Sequence, residues 1–296
     1  MEKFSAWRDK ATGISPFMPQ PFPISQKKSN KTSLYLQLFL VKIPIFLIKF
    51  PICLILISLY YITGSTTILN IIFKLLFGFN EITYSVDGIK KSQISKLESY
   101  KPIIGDLIIS NYISPLDGFI FSLISGTSKI SILIPNKDGN LFEYSPWSLV
   151  NHCFGNKESK QPIQELSKFN KKKIVFLLLE GTTSNNQSIL PFIKLNSKYS
   201  FENEFNIKSI VLKLTPNYFN LPTTIETSKF TYLFELLTDF KIKYFKIKIY
   251  SFNQLNLNEI RKSFELNSLA LINNPELSID GKEKFINYYL NHDIKK

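Results

Sequence analysis

Histidine is scarce in this chain: its 296 residues hold two, His152 and His292. Cysteine is equally scarce. Cys53 and Cys153 stand far apart in apolar surroundings without a CxxC partner, which excludes a disulfide framework and a zinc site and suits a reducing cytosolic setting. No metal is expected. Acids are outnumbered, 23 Asp and Glu against 36 Lys and Arg, for a net charge of +13. Such a balance favours contact with phosphorylated ligands, acidic lipid headgroups or nucleic acid. Ile, Lys, Asn, Phe and Tyr are abundant together, as an A/T-rich coding sequence would make them, so part of the lysine excess needs no function. A zinc pattern, an RNP-like aromatic motif and a concentrated Arg patch are all missing, and no nucleic-acid partner is expected. The start, MEKFSAWRDKATG, is charged and lacks the apolar core of a secretory signal.

What the chain has in plenty is apolar and aromatic surface. Hydrophobic residues make up 44% and aromatics 14%, with 26 Phe and 14 Tyr, which excludes a disordered chain. The length allows one large domain or two modest ones. A mean hydropathy of +0.01 lies between a soluble enzyme and a many-helix transporter, so a membrane-embedded part is expected in one region only. Residues 1–32 read as a polar, Pro-punctuated cytosolic arm ending in Lys27, Lys28 and Lys31. Residues 33–80 read as a membrane-embedded and interfacial helical region.

Within that region Ser33 to Ile62 is nearly all apolar, interrupted by Lys42, Pro44, Lys49 and Pro51. A span needs about 20 apolar residues, and the run is long enough. The prolines divide it, so a helical hairpin or a kinked helix in one leaflet fits as well as a span, with the lysines snorkelling to headgroups. Thr66 to Phe79 follows Gly64 as an interfacial helix with Lys74 on its polar side. Both flanks are basic and read as cytosolic, which requires an even number of crossings or none.

From residue 81 to 256 short apolar strands alternate with helices: Ile82 to Ile89, Asp106 to Tyr112, Ile130 to Asn136, Lys173 to Glu180, Lys208 to Pro216 and Tyr244 to Phe252 as strands, and Leu116 to Ser125, Ser145 to Cys153 and Ile163 to Asn170 as helices. This is the pattern of an α/β domain with a largely parallel sheet flanked by helices. Residues 257–296 read as two C-terminal helices, LNEIRKSFELNSLALI and DGKEKFINYYLNH.

In an open α/β sheet ligands collect beyond the carboxyl ends of strands. Two polar stretches stand there. Asn111-Tyr112-Ile113-Ser114-Pro115-Leu116-Asp117 follows one strand, with Ser114 or Asp117 also suited to cap the next helix. Glu180-Gly181-Thr182-Thr183-Ser184 follows another and runs on to Leu190-Pro191-Phe192-Ile193-Lys194. Hydroxyls and freed amides at such a turn bind phosphate, and Gly permits close approach.

As a pair, these stretches resemble the motifs of the glycerolipid acyltransferase family, which includes lysophosphatidic acid acyltransferases. The family has an Asn-His with an Asp after four intervening residues, then a Glu-Gly-Thr-Arg-Ser block and a Leu-Pro-Phe-Lys stretch. The N-terminal MEKFSAWRDKATGISPFMP together with NYISPLD and EGTTSNNQSILPF is similar, more narrowly, to its fungal members associated with lipid droplets, and this covers nearly the whole chain. The resemblance implies an α/β acyltransferase-like domain that transfers acyl from acyl-CoA to lysophosphatidic acid, giving phosphatidic acid. It implies acyl-CoA as co-substrate with no cofactor, and a membrane or lipid droplet monolayer as partner. The location implied is the endoplasmic reticulum membrane and lipid droplet, the soluble domain facing the cytosol. Carried onto this sequence, the catalytic residues are Asp117, Asn111, Tyr112 and Ser114. The substrate-binding residues are Glu180, Gly181, Thr182, Thr183, Ser184 and Lys194.

Two departures matter. The family's His is Tyr112, a phenol with an ordinary pKa near 10 and a poor base at neutral pH. The Arg of the second block is Thr183, so Lys194 or another lysine has to meet the phosphate. Of the two histidines, His292 lies in a polar tail, and His152 in LVNHCFGN has Lys157 rather than an acid five positions on. His152 is either the replacement base or a half-buried helix residue. The alternative to an enzyme is an inactive acyltransferase-like protein that binds phospholipid or lipid droplets.

Overall fold

A computed structural model of the chain describes residues 2–23, 37–155, 160–166, 169, 172–199, 201, 205–225 and 227–293. The apolar run becomes one continuous helix, α1 (Leu38–Thr63), which passes through Pro51. It ends at Gly64, whose φ of +63° suits the left-handed cap, and Gly64 N–H returns to Tyr60 O at 2.8 Å. After this turn α2 (Thr66–Leu76) packs back against α1. The helical hairpin is therefore made by α1 and α2 rather than by a break at the prolines. The lysines also differ from expectation. Lys42 and Lys49 are seven apart, on the stripe that carries Phe46, Phe50, Cys53, Ile57 and Tyr60 into the core. Lys42 Nζ pairs with Glu235 Oε2 at 2.5 Å, both side chains 7% exposed, and Lys49 Nζ donates to Leu76 O and Leu237 O at 3.0 and 3.1 Å. They are held by the protein body and do not snorkel.

The remaining helices are α3 (Ile94–Ser99), α4 (Asp117–Ser125), α5 (Pro146–Cys153), α6 (Lys229–Thr238), α7 (Leu257–Glu265) and α8 (Ile279–Asp293). The main sheet is built from β1 (Phe79–Val86), β2 (Asp106–Ser110), β3 (Ile130–Pro135), β4 (Leu141–Tyr144), β5 (Ile174–Leu177), β7 (Asn206–Thr215) and β8 (Lys243–Phe252) in the order β1-β8-β7-β2-β5-β3-β4. Pairing is parallel except for β7 with β8 and the edge strand β4 with β3. The class is α/β, as the strand-helix alternation indicates. Central strands are buried on both faces, which is why β2, β3 and β5 read as continuous apolar runs. Alternation divides their side chains between two cores. Ile108, Phe176, Ile132 and Leu212 join the core under α1, α2, α4 and α6, where Phe121 of α4 stacks on Phe176 at 4.2 Å. Leu107, Ile109, Val175 and Leu177 face Ile260 and Phe264 of α7.

One expected element takes another form, and a second is described only in part. LNEIRKSFELNSLALI is helical only to Glu265, after which β9 (Ala270–Leu271) pairs with β6 (Ser188–Ile189) in a second, two-stranded sheet. Of the helix expected over Ile163 to Asn170, residues 163–166 are not helical, Phe169 is helical, and positions 167, 168 and 170 lie outside the described residues. Lys27, Lys28, Lys31 and the start of the apolar run at Ser33 also lie outside, as does the His292 side chain. The described N-terminal arm is more than polar: Phe4 and Trp7 pack on Phe285, Tyr288 and Tyr289 of α8, and Phe17 is fully buried among the same residues.

Candidate functional site

β2 delivers Asn111 and Tyr112 at its carboxyl end, and the backbone of β7 holds the first in place. Asn111 Nδ2 donates to Leu212 O at 2.9 Å and Asn111 Oδ1 accepts from Leu212 N at 2.8 Å. The next turn is closed by Asp117 at the start of α4. Its Oδ2 accepts from Ile113 N and Ser114 N at 2.8 and 3.0 Å, and its Oδ1 from Ser114 Oγ at 2.6 Å. Both oxygens are thus engaged in shaping the loop. Burial pushes the Asp117 carboxyl up to about 7 in spite of these donors.

The second stretch is tied to the first. Glu180 Oε1 accepts from Tyr112 N and Oε2 from Leu190 N, each at 2.9 Å, and Ser184 N donates to Tyr112 O at 3.0 Å. Burial, ahead of its two N–H partners, raises Glu180 to about 8. Gly181 has φ +68°, and a Cβ there would stand 2.6 Å from Ile279 Cδ1 and 3.0 Å from Pro135 O, so glycine is what lets α8 close on the turn. Thr183 Oγ1 donates to Leu221 O at 2.5 Å and accepts from Lys282 Nζ at 2.7 Å. Ser184 Oγ donates to Ser188 O at 3.3 Å.

Two cavities flank this construction. An apolar one of about 230 Å³ lies between α1, α2, α5 and α6, lined by Ile57, Tyr60, Phe73, Phe119 and Tyr232, with Pro115 and Leu116 of the β2–α4 loop in its wall. A polar one of about 530 Å³ is lined by Lys137, Tyr144, His152, Gly181, Thr182 and Lys282. Helix α5 separates them, because Val150 and Phe154 face the first and His152 and Cys153 the second. Behind this partition is the Tyr112 phenol, fully buried, 3.0 Å from His152 Nδ1 and 3.0 Å from Cys153 Sγ. Desolvation first, then Cys153, lifts the phenol well above its ordinary value, and burial raises the Cys153 thiol. Both keep their protons at neutral pH.

The two motif stretches therefore form one structure. Asn111, Tyr112, Ser114, Asp117 and Glu180 are its buried frame, and of the expected residues Gly181 and Thr182 line the polar cavity. Lys194 is exposed and does not line it. Residues outside the motifs line it too, and Lys282 and His152 are the two that bear on its chemistry. Lys282, from α8, donates to Thr183 O and Oγ1 at 3.1 and 2.7 Å, and desolvation lowers its pKa to about 7. Its sequence signal is slight, one lysine among many about 100 positions from Thr183. His152 was legible as the better placed of two histidines. Among the described residues no group of three His, Cys, Asp or Glu could hold a metal ion.

No protein-family model matches the chain. It is 28% identical, over 318 aligned positions covering 100% of this chain and 99% of the relative, to lysophosphatidic acid:oleoyl-CoA acyltransferase 1 of Saccharomyces cerevisiae. A solved 1-acyl-sn-glycerophosphate acyltransferase from Thermotoga maritima is 12% identical with a TM-score of 0.33, the match covering 82% of this chain and 97% of that one.

Proposed function

We infer from the whole-length likeness to a lysophosphatidic acid acyltransferase that this chain is a glycerolipid acyltransferase, with acyl-CoA as donor, lysophosphatidic acid as acceptor and phosphatidic acid as product. The observation that carries the reading is the pair of cavities, one apolar and one of mixed lining that includes Lys137, Lys282 and Glu283, divided by α5. An acyl chain suits the apolar cavity and a glycerol phosphate the one that holds Lys137 and Lys282, and the reading requires the thioester carbonyl to pass the end of α5 to reach the acceptor hydroxyl. Positioning of this kind supplies about 7–11 kcal/mol of a barrier.

The reaction site adjoins a membrane in this reading. Leu40, Leu47, Ile48, Ile55 and Ile62 on the outer side of α1 are 62% to 79% exposed, and Phe230 of α6, 62% exposed, extends that side next to Phe46. Surface of this size and composition is covered by lipid. With its inner side fixed to α2 and α6, α1 rests in one leaflet of the endoplasmic reticulum membrane or in a droplet monolayer, and the α/β body stays in the cytosol. Purified protein incubated with acyl-CoA and a panel of lysophospholipids tests the assignment. Acylation of lysophosphatidic acid in preference to lysophosphatidylcholine is expected. Transfer to neither, or to the choline lipid alone, would contradict it.

A further inference from the structure

Resting on that reading, we propose that His152 is the catalytic base of the acyl transfer, delivered from the last turn of α5, and that Tyr112 is its positioning residue. The other titratable groups of the frame are committed elsewhere. Asp117 has both oxygens in the β2–α4 turn and lines neither cavity. Glu180 holds Tyr112 N and Leu190 N. Lys282 donates to Thr183. The phenol and the Cys153 thiol hold their protons too firmly to accept another at neutral pH. His152 lines the polar cavity beside Thr182 and Lys282, and imidazole is the side chain whose ordinary pKa suits the task.

Geometry explains the tyrosine. An imidazole that has taken a proton carries hydrogens on both nitrogens, so Nδ1–H must find an acceptor. The Tyr112 oxygen is 3.0 Å away, and its own hydrogen then turns to Cys153 Sγ, also at 3.0 Å. The near-parallel rings, 21° between planes, keep Nδ1 on the phenol. Tyr112 and Cys153 thereby do for His152 what an acidic partner does in other general-base pairs, with a neutral acceptor in place of a carboxylate. In the step itself the acceptor hydroxyl gives its proton to Nε2 as its oxygen bonds to the thioester carbonyl carbon. The C–S bond breaks, and the departing thiolate takes the proton from Nε2.

Charged and titratable groups facing His152 are Tyr112 on the β2–α4 loop, Tyr144 on β4 with ring centroids 4.8 Å away, Cys153 on its own helix, Lys137 on the β3–β4 turn, and Lys282 and Glu283 on α8. The test is kcat and KM as functions of pH for the full chain, His152→Gln and Tyr112→Phe, with thermal melting to measure the folded fraction. For wild type, kcat is expected to fall as pH is lowered through the protonation of its base, an acid-side inflection. His152→Gln is expected to lower kcat by about 10²–10⁴-fold with KM within threefold, and to lose that inflection. Tyr112→Phe removes the acceptor of the charged imidazole, so kcat falls about tenfold and the inflection moves to lower pH. Retention of kcat within threefold in His152→Gln, a loss confined to KM, or a flat wild-type profile would overturn the proposal while leaving the acyltransferase reading in place. Absence of transfer by the wild-type chain would overturn the reading and the proposal together.

Discussion

Glu180 is the joint between the two motif stretches, and replacing it with Gln isolates that role. Both of its oxygens accept backbone N–H bonds of 2.9 Å, one from Tyr112 and one from Leu190. An amide accepts through one oxygen only. Its NH₂ then faces the other N–H, leaving a buried donor unpaired at a cost of about 1–3 kcal/mol. At about 2–4 °C per kcal/mol for a chain of roughly this size, the melting temperature should drop by about 2–12 °C. Proton linkage adds a second signature. Folding raises this carboxyl from an unfolded value of 4.5 to about 8, so the folded state binds the extra proton between those pH values. The stability Glu180 contributes is full below about 4.5 and is lost as pH rises toward 8. Glu180→Gln lacks this dependence, so its deficit against wild type should be largest in acid and shrink across that window. Thermal melts of both proteins in the same detergent from pH 4.5 to 8.5 measure it. A variant that melts within 1 °C of wild type at pH 5, or a deficit that grows with pH, would refute the reasoning.

Breaking the buried Lys42–Glu235 pair by Lys42→Met leaves Glu235 unpaired and should cost about 3–5 kcal/mol, whereas Lys42→Met with Glu235→Leu should recover most of it; melting and limited proteolysis of α1 compare the two. Gly181→Ala puts a Cβ against Ile279 and Pro135 at a positive φ. It should cost at least about 1–2 kcal/mol and lower kcat as α8 is displaced, read by melting and initial rates. Because desolvation holds Lys282 near 7, the unliganded protein must take up a proton to bind phosphate above that pH. KM for lysophosphatidic acid should then climb by up to about tenfold per unit from pH 7 to 9, whereas Lys282→Met should show a high KM that is flat over that range.

Much of the α/β body was legible because buried strands and their turns leave local signals. Runs such as Leu107 to Ile109 and Ile174 to Leu177 have both faces covered, and the alternation of Phe245, Ile247 and Ile249 with Lys246 and Lys248 marks a strand whose other face is open. The two motif turns were legible for the same reason, each being a polar break after an apolar run. What escaped was set by contacts distant in sequence. Lys42 reads as a defect in an apolar run until Glu235, 193 positions away, is beside it. Lys282 reads as one surface lysine among many until α8 carries it to Thr183. The two-residue strands β6 and β9 exist only through each other, so nothing local announces Ala270. Tyr112 was conspicuous as a departure, yet its meaning depends on an imidazole 40 positions away.

The central claim is that this chain performs acyl transfer although a phenol stands where its resembled family has a histidine. Its most direct test is the stoichiometry of the reaction on purified full-length protein, with free thiol and phosphatidic acid quantified together from acyl-CoA and lysophosphatidic acid. One thiol released for each phosphatidic acid formed is the expected result. No phosphatidic acid above the rate without protein, or thiol release without it, would contradict the account.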